Sequence, residues 1–365
     1  MRVLGLCSHP REAAATRFRM LQFVEPLAER GIELDVRPFL TSEQFKRLYS
    51  SSGIVSKAAG MGLQAIRRLG DVVTAGRYDA VLVQREAMLF GPAFIEWLLA
   101  SVRGIPLVLD LDDATYLSYV SPTYGRLGSM LKFFGKTDKL IRRSAVTICG
   151  NRFIAEYAEG KGARTVVIPT VVDLDVFKPV EKPFDERPPV VGWIGTHSTF
   201  HFLEALFPTL EALGEKHEFT LKIVGSGRKD IKLKNVRVEC LAWSLEREVA
   251  DFQDLDIGLY PIKPGGSANE QWINAKSGFK AIQYMAVGIP FVMSPVGVCA
   301  EVGKPDETHF NATEAAWYTA LSKLLGDHDL RSRFGAAGRE YALRNYAIAQ
   351  CAETLAATLK GVMRA

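Results

Sequence analysis

The residues best suited to chemistry lie within 274–298, NAKSGFKAIQYMAVGIPFVMSPVGV. If a helix starts near Ser277, Lys276, Lys280 and Gln283 follow at i, i+4 and i+7 as one polar stripe. Phe279, Ile282 and Ala286 then take another side and pack on a sheet. A helix start offers unpaired N–H groups with partial positive charge, and Gly278 would let oxygens approach the backbone closely. Lys276 and Lys280 add full charges, so the stretch describes an anion site, most naturally for a diphosphate. The same spacing fits an ordinary surface helix with two solvated lysines, and the spacing alone weighs the two equally. Gly288 and Pro290 stop the helix, since glycine accepts left-handed geometry and proline cannot continue the ladder. Ile289 to Met293 then reads as a buried strand.

A second group of chemical residues follows strand-like runs in the first half. YDAVLVQ, residues 78–84, is followed by Arg85 and Glu86, and IPLVLDLDDATY, residues 105–116, carries Asp110, Asp112 and Asp113. Carboxylates clustered where a strand leaves a parallel sheet repel one another unless they meet cations, hydroxyls or backbone N–H groups. Their candidate roles are metal binding, orientation of an acceptor hydroxyl, pairing with Arg85 across neighbouring strand ends, or capping of the next turn. The loop 8–19, with Arg11, Arg17 and Arg19, lies at the carboxyl end of another expected strand. Ligands bind there in open α/β sheets, although surface ion pairs are the plainer use for such arginines.

The elements that must hold these residues alternate. Val3–Cys7, a helix from about Ala13 to Arg30, and Leu34–Phe39 make a βαβ unit, which implies a parallel sheet covered on both faces. Further strands are expected at 145–151 and 165–170 around a helix at 153–160. The charged, proline-rich VEKPFDERPP, residues 180–189, reads as an interdomain linker. The pattern then restarts with a strand at 189–195, a helix capped by Thr196 or Ser198, a strand at 219–227, and strand, helix and strand over 238–262. Helices at 313–326, 329–342 and 346–363 complete the chain. The expected organisation is α/β, two Rossmann-like doubly wound domains facing across a cleft. They are residues 1–175 and 190–345, with a linker at 176–189 and a last helix, 346–365, crossing back to the first.

At 365 residues the chain exceeds one typical core, and 48% hydrophobic content supports two. The net charge of +4 is mild and dispersed, which argues against nucleic acid as a partner. Cys7, Cys149, Cys240, Cys299 and Cys351 are widely spaced, without a Cys-x-x-Cys pair, and read as free thiols in a reducing compartment. The start MRVLGLCSHP reads as a strand and not a signal peptide. No run of about 18 apolar residues suggests a membrane span. A cytoplasmic location is expected.

Residues 274–298 resemble the donor-site signature of family 4 glycosyltransferases, in the branch whose motif runs close to KCGFKLIQYMAxGxPVVxSPVG. The resemblance implies the GT-B fold and retaining transfer from a nucleotide diphosphate sugar, UDP or GDP being usual, to a hydroxyl on a glycan or lipid-linked acceptor. It implies no cofactor and no metal. Asp-x-Asp is also the metal signature of the GT-A fold, but GT-A lacks a second βαβ half carrying a KSGFK helix. The loop amides at Lys276, Ser277, Gly278, Phe279 and Lys280 would hold the diphosphate. Gln283 stands where the family places a Glu on the ribose, and Ala275 where it places a Glu on the sugar, leaving Glu270 as a displaced candidate. The usual Arg and Lys clamp is replaced by Trp193 and Thr199 within GWIGTHST. Gly195, Thr196 and His197, with Arg228, would stand in for it. Gly225 and Gly227 would lie near the nucleoside, and Ala242 and Trp243 near the base.

By the same resemblance Asp112 and Asp113, with Lys276 and Glu270, are the catalytic candidates. Arg17, Arg19, Arg85, Glu86 and Asp110 are assigned to the acceptor side. Residues 40–76, with Lys57, Arg67 and Arg68, correspond to segments that touch the bilayer in membrane-associated relatives. Their weak amphipathic pattern favours a solvated face, with peripheral contact at the inner membrane surface the alternative. The departures at Ala275, Gln283 and the clamp keep two other readings open: a noncatalytic sugar-nucleotide-binding protein and a nucleotide-sugar epimerase.

Overall fold

The computed structural model describes residues 1–48, 53–118, 125–182, 187–263 and 270–363. Parts of the expected linker, 183–186, and of the loop leading to Lys276, 264–269, lie outside the described residues. The chain folds as two compact units, Met1–Thr170 with Ala349–Ala365, and Val171–Ile348.

The first unit is built on β1 (Arg2–Cys7), β2 (Glu33–Pro38), β3 (Ala80–Gln84), β4 (Leu107–Leu111), β5 (Val146–Cys149) and β6 (Thr165–Val167). They are ordered β2-β1-β3-β4-β5-β6, and every neighbouring pair is parallel. All residues of β3 and β4 are buried, as a parallel sheet with helices on both faces requires. The second unit holds β7 (Val190–Ile194), β8 (Thr220–Val224), β9 (Arg237–Leu241), β10 (Ile257–Tyr260), β11 (Phe291–Met293) and β12 (His309–Asn311). Their order is β12-β11-β10-β7-β8-β9, again all parallel. Strand order reverses between β1 and β3 in one sheet and between β7 and β10 in the other. At such a switch the connecting loops diverge to opposite faces and leave a crevice at the carboxyl ends.

Several elements differ from expectation. The single helix over 13–30 is divided into Ala14–Arg19, a 3-10 turn Leu21–Phe23 and Val24–Ala28. Pro26 is the reason: lacking an N–H, it fits the first turn of a new helix and not the interior of a long one. The helix expected over 92–102 after β3 is likewise short, Phe94–Trp97, and relaxes into a π-helical turn over Leu98–Val102. The flanks of the expected linker are anchored in the second unit, where Lys182 and Arg187 each lie 3.0 Å from Asp256. The last helix, Ile348–Gly361, belongs to the first unit. It buries Cys351, Leu355 and Leu359, and Lys360 Nζ donates to the Arg30 carbonyl at 2.9 Å.

Candidate functional site

In the second unit the carboxyl ends of β7, β8 and β9 meet. Gly225 and Gly227 have φ of +82° and +75°, and a Cβ on Gly225 would stand 2.3 Å from the Gly195 carbonyl oxygen and 3.5 Å from Trp243 Cβ. Only glycine therefore permits this approach of the loops after β7, β8 and β9. His197 Cβ lies 3.9 Å from the Cβ position of Gly227. Thr196, His197 and Ser198 are exposed, and Arg228 is exposed at the next turn. The expected cap by Thr196 or Ser198 is not formed. Instead Thr196 and Ser198 share a 2.8 Å hydroxyl contact, and the helix Phe200–Glu204 starts after Thr199 without a side-chain cap. A tight turn, Thr199 N to Thr196 O at 3.0 Å, already satisfies the backbone that such a cap would serve. The Ala242 carbonyl is occupied by Arg247 at 2.6 Å, while the Ala242 side chain is exposed.

The connection from β10 brings in the helix Glu270–Asn274 and then Phe279–Ala286, whose N-cap is Gly278 at φ +66° without a side-chain cap. A Cβ there would meet Val302 Cγ2 at 2.5 Å, so Gly278 serves both dihedral and packing. Lys276, just ahead of this helix, holds its ammonium 3.3 Å from the centre of the Trp272 ring. Ser277 is partly buried, Glu270 is exposed, and Ala275 is fully buried. Of the polar stripe expected of Lys276, Lys280 and Gln283, the last is internal. Gln283 is 0% exposed, its Oε1 accepts from Lys280 Nζ at 2.9 Å, and among the described residues its Nε2 has no hydrogen-bond partner. Lys280 also sits 5.0 Å above the Phe252 ring.

The cause is packing on both sides of this helix. Ala281 to Ala286 are all buried, and Gly338 of the helix His328–Asn345 lets Met285 come within 3.2 Å of its Cβ position. Arg339 of that helix donates to the Ala286 carbonyl, at the C-terminal end of the buried helix, and to the Phe177 and Leu174 carbonyls of the segment beside it, all at 2.7 to 2.8 Å.

In the first unit the charges at the strand ends are engaged with one another. Arg19 Nε is 3.0 Å from Asp110 Oδ2, both side chains are about fully buried (2% and 3% exposed), and Arg19 also donates to the Ile168 carbonyl at 2.6 Å. Arg85 grips Asp112 through two bonds of 2.6 and 2.8 Å, and Gln84 Nε2 adds a third at 3.0 Å. Burial would raise the Asp112 carboxyl, but the Arg85 pair outweighs it and holds it below the ordinary range. Arg85 adopts φ +62°, uncommon for a side-chain-bearing residue, with its N–H on the Asp110 carbonyl at 2.8 Å. Glu86, 5% exposed, is held by Lys136 at 2.6 Å and by Lys132. The acceptor-side group is thus largely internal: Arg19, Asp110 and Glu86 are used by structural partners. Asp113 keeps an accessible carboxylate, 31% exposed, with Oδ1 accepting from Ala114 N–H and Oδ2 3.9 Å from Arg85. Arg17 donates to the Arg11 and Glu12 carbonyls at 3.1 and 2.9 Å.

His9, directly after β1 at the switch, joins this group and was not singled out from sequence. Burial pushes its imidazole down to about 3, with Arg85 and Lys132 nearby adding to the effect, so the ring is neutral. The signal was its place in SHP at a strand end. Among the described residues no three His, Cys, Asp or Glu side chains group as a metal site.

The fold has wide company. A sucrose-phosphate synthase from Thermosynechococcus elongatus superposes with TM-score 0.68 at 14% identity, covering 100% of both chains. A glycosyltransferase from Rickettsia africae gives 0.69 at 12%, covering 100% of this chain and 98% of that one. HepE of Anabaena, in complex with UDP-glucose, gives 0.66 at 15%, covering 99% and 100%. This is the GT-B fold. Within the GT-B chain, residues 188–327 match the family described as Glycosyl transferases group 1. That match spans the loops after β7 to β11 and the helix behind Gly278. No curated protein matches the sequence.

Proposed function

We propose that this protein transfers a glycosyl group from a nucleotide diphosphate sugar to an acceptor hydroxyl, with retention of anomeric configuration and without a metal ion. The observation that carries the reading is the carboxyl edge of the second sheet. The turn at Gly225 and Gly227, the exposed Thr196 to Ser198 and the uncapped helix start at Gly278 all belong to the loops that follow strands of this sheet. The group 1 family match falls on this unit, and the neighbour HepE is described in complex with UDP-glucose. Negative charge growing on the leaving diphosphate would be met by the N–H groups at Phe279 and Lys280 and by Lys276, donors fixed before the reaction begins. The orphaned Nε2 of Gln283 would gain a partner from a ribose hydroxyl. Asp113 would orient the acceptor, because the neighbouring carboxylates are already paired. A divalent ion at Asp112 would have to displace Arg85, which supports the metal-free reading.

The decisive experiment incubates purified protein with UDP-glucose and related donors over a panel of glycan and lipid-linked acceptors. Acceptor-dependent nucleotide release that persists in chelator is expected. A chelator that abolishes turnover, restored by a divalent ion, would overturn the metal-free part. A second reading, nucleotide-sugar binding without turnover, is favoured by one observation. Ala275 is fully buried where a sugar-contacting carboxylate would be needed. Donor binding with no turnover across the panel would establish it.

A further inference from the structure

The lysine assigned to the diphosphate lies on an aromatic ring. Ala275 N–H reaches the Gln271 carbonyl at 3.0 Å and Lys276 N–H the Ile273 carbonyl at 3.2 Å, so the turn begun by Glu270–Asn274 runs on to Lys276. Trp272 and Lys276 thereby stand at i and i+4, on one side of the chain. The Lys276 ammonium is 3.3 Å from the centre of the Trp272 ring, well inside the reach of a cation–π contact, whereas Lys280 stands 5.0 Å from Phe252. The ring itself is anchored. Trp272 is partly buried and packs on Phe202, Ile262, Ile273, Val296 and Cys299. Phe202 is in the helix after β7, Ile262 follows β10 and Val296 follows β11, so three connections at the carboxyl edge of the second sheet set the ring's position. Cys299 also ties down the bend, its thiol donating to the Lys276 carbonyl at 3.5 Å.

A lysine carries its charge on a flexible four-carbon stem, and ordering that stem on an anion costs conformational freedom. A partner already in place removes much of this loss. At Lys222 the partners are Asp251 and Asp254, each at 3.0 Å, and they cancel the charge. An aromatic face instead attracts the ammonium through its quadrupole and adds no formal charge, so the cation stays available to a ligand. With the ammonium lying on it, that face of the indole is covered, and neither a sugar nor a base can stack there.

We propose that Trp272 is a positioning residue for the donor: its ring holds the Lys276 ammonium, without neutralising it, at the bend where the diphosphate binds. The proposal rests on the donor reading above and adds to it a residue that acts through Lys276 and does not itself touch the ligand.

The test joins a spectrum to a titration, both on the full chain. With carbon-13 lysine incorporated, the Cε–Hε signal that Lys276→Ala removes should lie upfield through the ring current of Trp272. It should stay upfield in Trp272→Phe and move to the ordinary lysine position in Trp272→Leu. Calorimetric titration then uses UDP, or GDP where the wild type prefers it, and the matching nucleoside. Trp272→Leu should weaken the diphosphate about fivefold and the nucleoside not at all, and Trp272→Phe should recover most of the loss. Trp272→Leu added to Lys276→Ala should bring no further loss. Unchanged nucleoside affinity certifies that the pocket is intact in each variant. Should Trp272→Leu fail to fold, fluorinated tryptophan, which depletes the negative face of the ring and keeps its shape, should weaken the diphosphate in wild type and not in Trp272→Phe. An unshifted Lys276 signal overturns the contact whether or not the chain binds nucleotides. A shifted signal with equal losses for diphosphate and nucleoside, or with additive losses in the double variant, overturns the positioning role and leaves Trp272 as packing. A shifted signal in a wild type that binds neither UDP nor GDP overturns the donor reading, and the role of Trp272 falls with it.

Discussion

The two sheets end in opposite ways. At the carboxyl edge of the first, formal charges stand in pairs: Arg19 with Asp110, Arg85 with Asp112, Lys136 with Glu86. At the edge of the second, the loop after β7 exposes the hydroxyls of Thr196 and Ser198, the loop after β8 turns on Gly225 and Gly227, and charge comes from Lys276 at 3.3 Å over a tryptophan ring. Paired buried ions fix geometry but leave little net field for a ligand, since their desolvation is already offset internally. Glycine turns and helix-start amides remain available to an anion without any bond being broken first. On the function proposed here, the second edge is the receiving surface, and the first is a paired frame in which Asp113 keeps a partly exposed carboxylate.

That contrast can be broken most forcefully at Arg19. Arg19→Met leaves Asp110 charged in a closed interior and should destabilise the first unit by about 3–5 kcal/mol in urea unfolding, whereas the double variant with Asp110→Leu should recover most of it. A loss below about 1 kcal/mol would mean that the pair is hydrated and the frame less rigid than described. Next, Lys276→Ala should cost about 1.5–3 kcal/mol in calorimetric binding of a nucleotide diphosphate and little for the nucleoside. Equal losses for both would remove the diphosphate from this bend. Gly278→Ala, strained at φ +66° and crowded against Val302, should lower stability by about 1–2 kcal/mol. It should also weaken donor binding; unchanged binding would detach the helix start from the ligand.

Smaller effects sharpen the frame. Asp113→Asn should slow transfer with donor affinity nearly unchanged, and a parallel fall in affinity would contradict its acceptor role. His9 has a folded value of about 3, below its unfolded value near 6.5. The unfolded chain thus binds more protons between these values. Stability that is complete above about 6.5 should decline as pH falls toward 3, and His9→Gln should flatten that slope. An unchanged slope would place the acid sensitivity elsewhere.

Much of the architecture was legible because parallel strands bury both faces and so appear as short apolar runs, as in Ala80–Gln84 and Leu107–Leu111. Gly278 and Gly288 were legible as well, since positive φ leaves a compositional mark. Partnerships were not. Arg19 and Asp110 are 91 positions apart, and only the order β1-β3-β4 brings their strand ends together. The complete burial of Gln283 was not legible, because local spacing carries no information about the tertiary packing that encloses its helix. The helix Ile54–Thr74 was assigned a solvated face from a weak apolar period. Its buried side joins Met61 and Val72 to Arg68, whose bonds to the Cys7 and Arg37 carbonyls join residues 61 and 31 positions apart and left no local mark.

The first unit is discontinuous, and this has a consequence for biosynthesis. Leu355 and Leu359 complete a core begun by the earliest strands. Residues 1–170 thus leave the ribosome with an apolar gap that persists until residues 349–361 have followed, while the intervening unit, contiguous in sequence, can close first. Holding factors that guard nascent chains would be needed on residues 1–170 for as long as the unit 171–348 takes to emerge.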